Sequence, residues 1–95
     1  MENIIIIDLN VVQIYGLSLH AYSIAALLSD NPLYRKVDFI KMFDLTAPTV
    51  DAIYADLISK NLVEAKREFK TKTIYGATKN WGVEYEVIKK NFFRK

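Results

Sequence analysis

The sequence predicts an α+β domain in which a core of three helices hands over to a β-hairpin and then to one further helix. Three observations carry this. Between Leu19 and Ile58 apolar residues recur at spacings of three and four, the period of helices that bury one face. From Leu62 the period becomes two, and a polar Lys70-Thr71-Lys72 tip separates that run from a second β-prone run, Thr73 to Ala77. Trp81, Tyr85, Ile88 and Phe92 then return to steps of four, three and four. Ninety-five residues, 52% of them hydrophobic, suffice for one small core and not two, so residues 1–95 are expected to form a single domain.

The elements follow in order. Residues 1–16 divide into a short β-branched strand, Asn3 to Ile7, expected to pair with the hairpin, and a brief helix, Leu9 to Tyr15, capped by Asp8 and ended by Gly16. The helical core spans 17–61. Ser18 caps a helix from Leu19 to Asp30, whose Tyr22, Ala25, Ala26, Leu27 and Leu28 give a broad apolar face, and Asn31-Pro32 stops it. Arg35 to Phe43 is the next helix, with Val37, Ile40 and Phe43 expected inward and Lys36 and Lys41 outward. After the turn at Asp44-Leu45, Thr46 caps a helix from Ala47 to Ser59, with Pro48 tolerated in its first turn. Val50, Ile53, Tyr54, Leu57 and Ile58 form its buried stripe, and Asn61 is the expected left-handed stop. Residues 62–77 form the hairpin, with Val63, Ala65, Arg67 and Phe69 alternating against Leu62, Glu64, Lys66 and Glu68. Thr78 caps the helix that fills 78–95.

Composition narrows function. The absence of cysteine excludes disulfides and thiolate metal sites, and the lone His20 reads as a surface or boundary residue, so no cofactor or metal is expected. The three glycines form no phosphate loop, the four serines share one histidine, and the carboxylates are scattered singly, so an enzyme is not expected. The apolar run Ile4 to Ile7 is too short for a signal peptide or a membrane span, and a soluble cytoplasmic protein with no membrane partner is expected. The net charge of +2 is unevenly distributed. Residues 1–59 carry three bases against seven acids, a net −4, and residues 60–95 carry ten against four, a net +6. Such a split points to a basic face for a polyanion, with solvated lysines as the plain alternative.

The order of elements and several residues resemble the winged helix-turn-helix superfamily. Thr49-Val50, Leu57 and Leu62-Val63 match the pattern of recognition helices in bacterial winged-helix regulators, and Leu45 takes the place of the buried turn residue. Thr78-Lys79-Asn80-Trp81-Gly82 resembles the Thr-x-x-x-Gly opening that follows the wing in multiple-antibiotic-resistance-type proteins. There are departures. Asp51 and Ala52 stand where the family offers Ser or Arg to DNA, Asn61 and Asp44 replace two glycines, and Phe39-Ile40 replaces a Leu-Ala pair. The opening IIIDLN and the GLS before the second helix are similar in style to short phage proteins of this fold, which implies a viral protein in a host cytoplasm.

The resemblance implies a DNA-binding regulator of transcription or replication that takes double-stranded DNA as its partner. The helix 47–59 would then enter the major groove, presenting Thr46, Thr49, Asp51, Ala52 and Ala55. Lys66, Arg67, Lys70 and Lys72 of the wing, with Arg35, Lys36 and Lys60 beside it, would meet phosphates. The alternative is a protein-interaction module whose Asp38, Asp44, Asp51 and Asp56 meet a basic partner. The aromatic stripe Trp81, Tyr85, Ile88 and Phe92 packs either on the domain's own core or on a second copy as a homodimer interface.

Overall fold

In the computed structural model, which describes residues 5–94, the helix with no solvent-facing side is the organising element. It is α2, Leu19–Asp30, and every residue from Ala21 to Leu28 is buried. Ser18 caps it by accepting from the Ala21 N–H at 3.1 Å. The other elements enclose α2: α1 Leu9–Tyr15, α3 Lys36–Phe43, α4 Ala47–Ser59, the antiparallel strands β1 Val63–Glu68 and β2 Thr73–Ala77, and α5 Lys79–Phe93. The fold is therefore α+β, with five helices and one two-stranded hairpin among the described residues. Among the described residues no single helix is long and apolar enough to cross a membrane.

The caps expected from the sequence are present. The Asp8 carboxylate accepts from the Asn10 and Val11 N–H groups at 2.9 and 3.3 Å, and Gly16 ends α1 at φ 63°. Asp44 and Asn61 take positive φ, 54° and 60°, where the chain turns out of α3 and α4. Asparagine and aspartate tolerate that region because their side chains bond locally. Thr78 accepts from the Trp81 N–H at 3.3 Å and donates to the Asn61 carbonyl at 2.8 Å, which locks the end of α4 to the start of α5.

Three expectations are corrected. Asn3 and Ile4 lie outside the described residues, and Ile5 to Ile7 form no strand, so among the described residues the sheet has two strands. Tyrosine hydroxyls take the place of a strand ladder: Tyr22 Oη donates to the Ile6 carbonyl at 2.7 Å, the Ile6 N–H donates to Tyr85 Oη at 3.2 Å, and the Asp8 N–H donates to Tyr22 Oη at 3.3 Å. In α3, which begins at Lys36 with Arg35 as its cap, Phe39 is the buried residue and Val37 is exposed. Phe39 wins the interior because it meets Phe43, Tyr54 and Tyr34 in a run of aromatic contacts with centroids 5.4–6.3 Å apart. In the hairpin only Val63 of β1 is buried, and further along the register slips between Ala65 and Arg67, leaving Lys66 without a partner across the ladder. β1 therefore leaves the core after its first residue.

α5 closes the fold. Trp81 is fully buried, its Nε1 donates to the Ala25 carbonyl of α2 at 2.9 Å, and its ring meets Tyr22 edge-on at 5.8 Å. Lys89 bridges back to Asp30 at 2.6 Å.

The tyrosines give the fold an alkaline limit. Burial pushes the Tyr22 hydroxyl up to about 12, and the hydrogen bond from Tyr15 to Glu84, followed by burial, raises Tyr15 to about 12. Burial also raises Tyr85, and the hydrogen bond to Asp30 raises the Lys89 ammonium. An unfolded tyrosine titrates near 10, so these contributions are fully present below about pH 10 and are lost as the pH climbs toward about 12. Thermal unfolding followed from pH 8 upward should show a flat midpoint to about pH 10 and a steep fall above it. Tyr22→Phe should cost about 1–2 kcal/mol at neutral pH by chemical denaturation, because it leaves the Ile6 carbonyl unpaired, and should make the alkaline fall shallower.

Candidate nucleic-acid interface

α4 is half buried along its length. Val50, Tyr54 and Leu57 enter the core, and Thr46, Thr49, Asp51, Ala52 and Ala55 face solvent. The 3.6-residue period therefore separates the side expected to meet DNA from the side that holds the helix in place. Ile58, expected in the buried stripe, is exposed at the end of the helix. Thr46 and Thr49 sit with their hydroxyl oxygens 2.8 Å apart while Thr46 caps the helix, so both hydroxyls are engaged locally.

The charges around this face are paired in a way the sequence did not reveal. Lys36 Nζ lies 3.0 Å from the Asp51 carboxylate and 5.1 and 5.5 Å from the ring centres of Tyr54 and Tyr75. It joins α3, α4 and β2 at one point. Lys60, at the far end of α4, is 3.0 Å from Asp56 and donates to the Gly16 carbonyl at 3.2 Å, so it ties α4 to the turn between α1 and α2. Arg35 stands 3.9 Å from Asp38, and Lys66 lies 2.8 Å from Glu64. Each acid of the α4 face thus has a lysine partner, and the face is close to neutral.

Of the seven cations expected at phosphate, Arg67, Lys70 and Lys72 have no carboxylate partner among the described residues. All three belong to the hairpin end, where the Phe69 N–H donates to the Lys72 carbonyl at 2.7 Å and closes the turn. Phe69 is 47% exposed, with the Arg67 guanidinium 5.8 Å and the Lys72 ammonium 5.5 Å from its ring centre. Phe69 is not among the site residues expected from the sequence, where it stands only as a member of the alternating run with Val63, Ala65 and Arg67. The signal for it was an aromatic residue interleaved with cations, a pattern suited to nucleobases and phosphates together. Lys72 also borders a recess of about 400 Å³ with Arg35, Lys36, Tyr54 and Tyr75, which makes the hairpin end and the start of α3 one continuous surface.

The homodimer stripe is corrected. Trp81, Tyr85 and Ile88 are buried in their own chain, because Trp81 fills the space between α2 and α5, and only Phe92 remains at the surface, edge-on to Phe93. His20 is exposed, its ring 5.4 Å from Phe43, and no group of three or more His, Cys, Asp or Glu residues converges among the described residues. No family model, curated protein or solved structure matches the chain.

The Tyr54 hydroxyl is buried beneath this surface without a hydrogen-bond partner among the described residues, and burial, with Tyr75 beside it, pushes its ionisation well above the ordinary tyrosine range. An unmatched buried hydroxyl is destabilising. Tyr54→Phe should therefore hold or raise stability, by about 1 kcal/mol in urea titration, and should leave the Lys36–Asp51 contact in place. A clear loss of stability would reveal a partner for that oxygen.

Proposed function

We propose that this chain is a non-enzymatic winged-helix protein that binds duplex DNA and regulates transcription or replication. α4 lies along the major groove, and the hairpin is the wing, with its cations on the sugar-phosphate backbone. The observation that carries the reading is the group of three hairpin-end cations with no carboxylate partner among the described residues, two of them over the Phe69 ring, beside an α4 face whose two acids are already neutralised. A neutral helix face does not repel phosphate, and a cationic wing attracts it.

Direct base readout is limited on this view. The Asp51 carboxylate is shared with Lys36 and the Thr46 and Thr49 hydroxyls are bonded to each other, so α4 offers bases little beyond their remaining lone pairs and the methyl groups of Ala52 and Ala55. Affinity then comes mainly from the backbone. The competing reading, a basic protein partner on the acidic residues, has less support: Asp38, Asp51 and Asp56 are all ion-paired, leaving Asp44 alone.

Anisotropy titration of random-sequence duplex DNA at about 50 and 200 mM salt tests the reading. Three phosphate contacts give a logarithmic salt slope of about −2.7, a loss of about 40-fold in affinity across that range. Lys70→Glu with Lys72→Glu should abolish binding. Indifference to that pair, or no binding at the lower salt, would overturn the DNA reading. Asp51→Asn should tighten binding severalfold and steepen the slope by about 1, because it removes a negative charge and frees Lys36 for phosphate.

A further inference from the structure

Strand alternation puts Thr73 and Tyr75 on the recess face of β2 and Gly76 on the other. On that second face lies a groove of about 820 Å³ between the end of α2, the hairpin and α5, and no α4 residue lines it. Its apolar side chains are left in the open: Leu33 is 71% exposed, Val83 59% and Val87 49%. Large aliphatic residues exposed side by side mark interaction surfaces.

Gly82 adds a separate observation. It sits inside α5, where glycine is a poorer helix former than alanine, and its φ is not positive. A Cβ there would meet nothing within 4 Å. Gly76, by contrast, has a structural reason, since a Cβ would come within 3.0 Å of the Lys66 stem and 3.3 Å of Pro32. Nothing inside the fold asks for glycine at 82, and its effect is to leave bare backbone in the groove wall.

The rim is positive. Arg67, Lys79 and Lys90 have no carboxylate partner among the described residues. Glu86, the acid among the groove's lining residues, is held by Lys89 at 2.9 Å, and Glu64 by Lys66 at 2.8 Å.

We propose that this groove docks an acidic, amphipathic peptide segment of a partner protein. Its apolar side chains lie on Leu33, Val83 and Val87, its backbone approaches α5 at Gly82, and its carboxylates reach Arg67, Lys79 and Lys90. Charge complementarity selects an acidic occupant. Openness selects a peptide over an acyl chain, because small apolar ligands are held where most of their surface is enclosed, and here Leu33, Val83 and Val87 stand about half exposed or more. Nucleic acid is disfavoured by the lack of an aromatic platform among the groove's lining residues. No residue of the α4 face lines the groove, and the two surfaces meet at Arg67 of the hairpin.

The test is selection of a displayed random-peptide library on the full chain, followed by affinity measurement with the selected peptides. Peptides that pair aliphatic or aromatic residues with Asp and Glu are expected. Gly82→Leu, which fills the groove, and Lys79→Glu with Lys90→Glu should each weaken binding by about tenfold or more, whereas Lys70→Glu with Lys72→Glu should leave it unchanged. Gly82→Leu should melt at the same temperature as the parent or higher, since leucine is the better helix former, and should still bind DNA, which separates a blocked groove from a damaged fold. The proposal is overturned if the selected peptides are neutral or basic, if they ignore Gly82→Leu, if none is selected, or if decanoate binds with the same sensitivity to Gly82→Leu in place of peptides.

Discussion

The indole of Trp81 against helix α2 is the contact on which the rest of the structure depends. α2 presents eight consecutive buried residues, Ala21 to Leu28, so it can exist in water only when wrapped on all sides. An amphipathic helix needs one partner, but a helix apolar all round needs several. α5 supplies the wall that closes the enclosure, and it is fixed there by the Trp81 Nε1 donation to Ala25 and by Lys89 reaching Asp30. Tyr15, Tyr22 and Tyr85 gather around the same indole with centroids 5.6–6.3 Å from it. Two of those tyrosines also hold the segment before α1 through Ile6, so one aromatic cluster joins that segment to α2 and α5.

Much of this was legible in the sequence, because its signals are local. Asp8, Ser18, Thr46 and Thr78 each cap a helix as their residue type and position imply, and Gly16 and Asn61 take the left-handed turns assigned to them. What escaped was set by partners far away in the chain. The β-branched run at Ile5 to Ile7 satisfies strand propensity, yet it is held by Tyr22 and Tyr85, 16 and 79 residues from Ile6. The stripe from Trp81 to Phe92 has a helical period, but period alone does not say whether a stripe faces its own core or another chain. Its first three members face the core because α2 has no other cover on that side.

Charge was the least legible property. A tally by segment makes the last third strongly basic, but charges act through their neighbours. Lys89 spends its charge on Asp30, Lys60 on Asp56 and Lys66 on Glu64. The acids of α4 that seemed to oppose DNA are neutralised in the same manner by Lys36 and Lys60. Pairing therefore lowers the apparent contrast at both ends. It removes the acidic objection to α4 and concentrates the unpaired cations at the hairpin end and along the outer side of α5.

The hairpin separates these two cationic surfaces, and its construction explains how it serves both. Gly76 lets Pro32 and the Lys66 stem lie directly against β2, and Lys66 is the residue left over where the register slips. An extra residue on one strand increases local twist and bends the strand. The base, where Val63 pairs with Ala77 and Glu64 with Gly76, is thus clamped to α2 and the loop after it, and β1 is exposed from Glu64 onward. A two-stranded ribbon has little stability of its own, so a rigid base is what allows a free end to hold a defined direction. Arg67 stands just past the bulge, between the tip cations and the groove, at the point where the clamped part of the ribbon gives way to the projecting part.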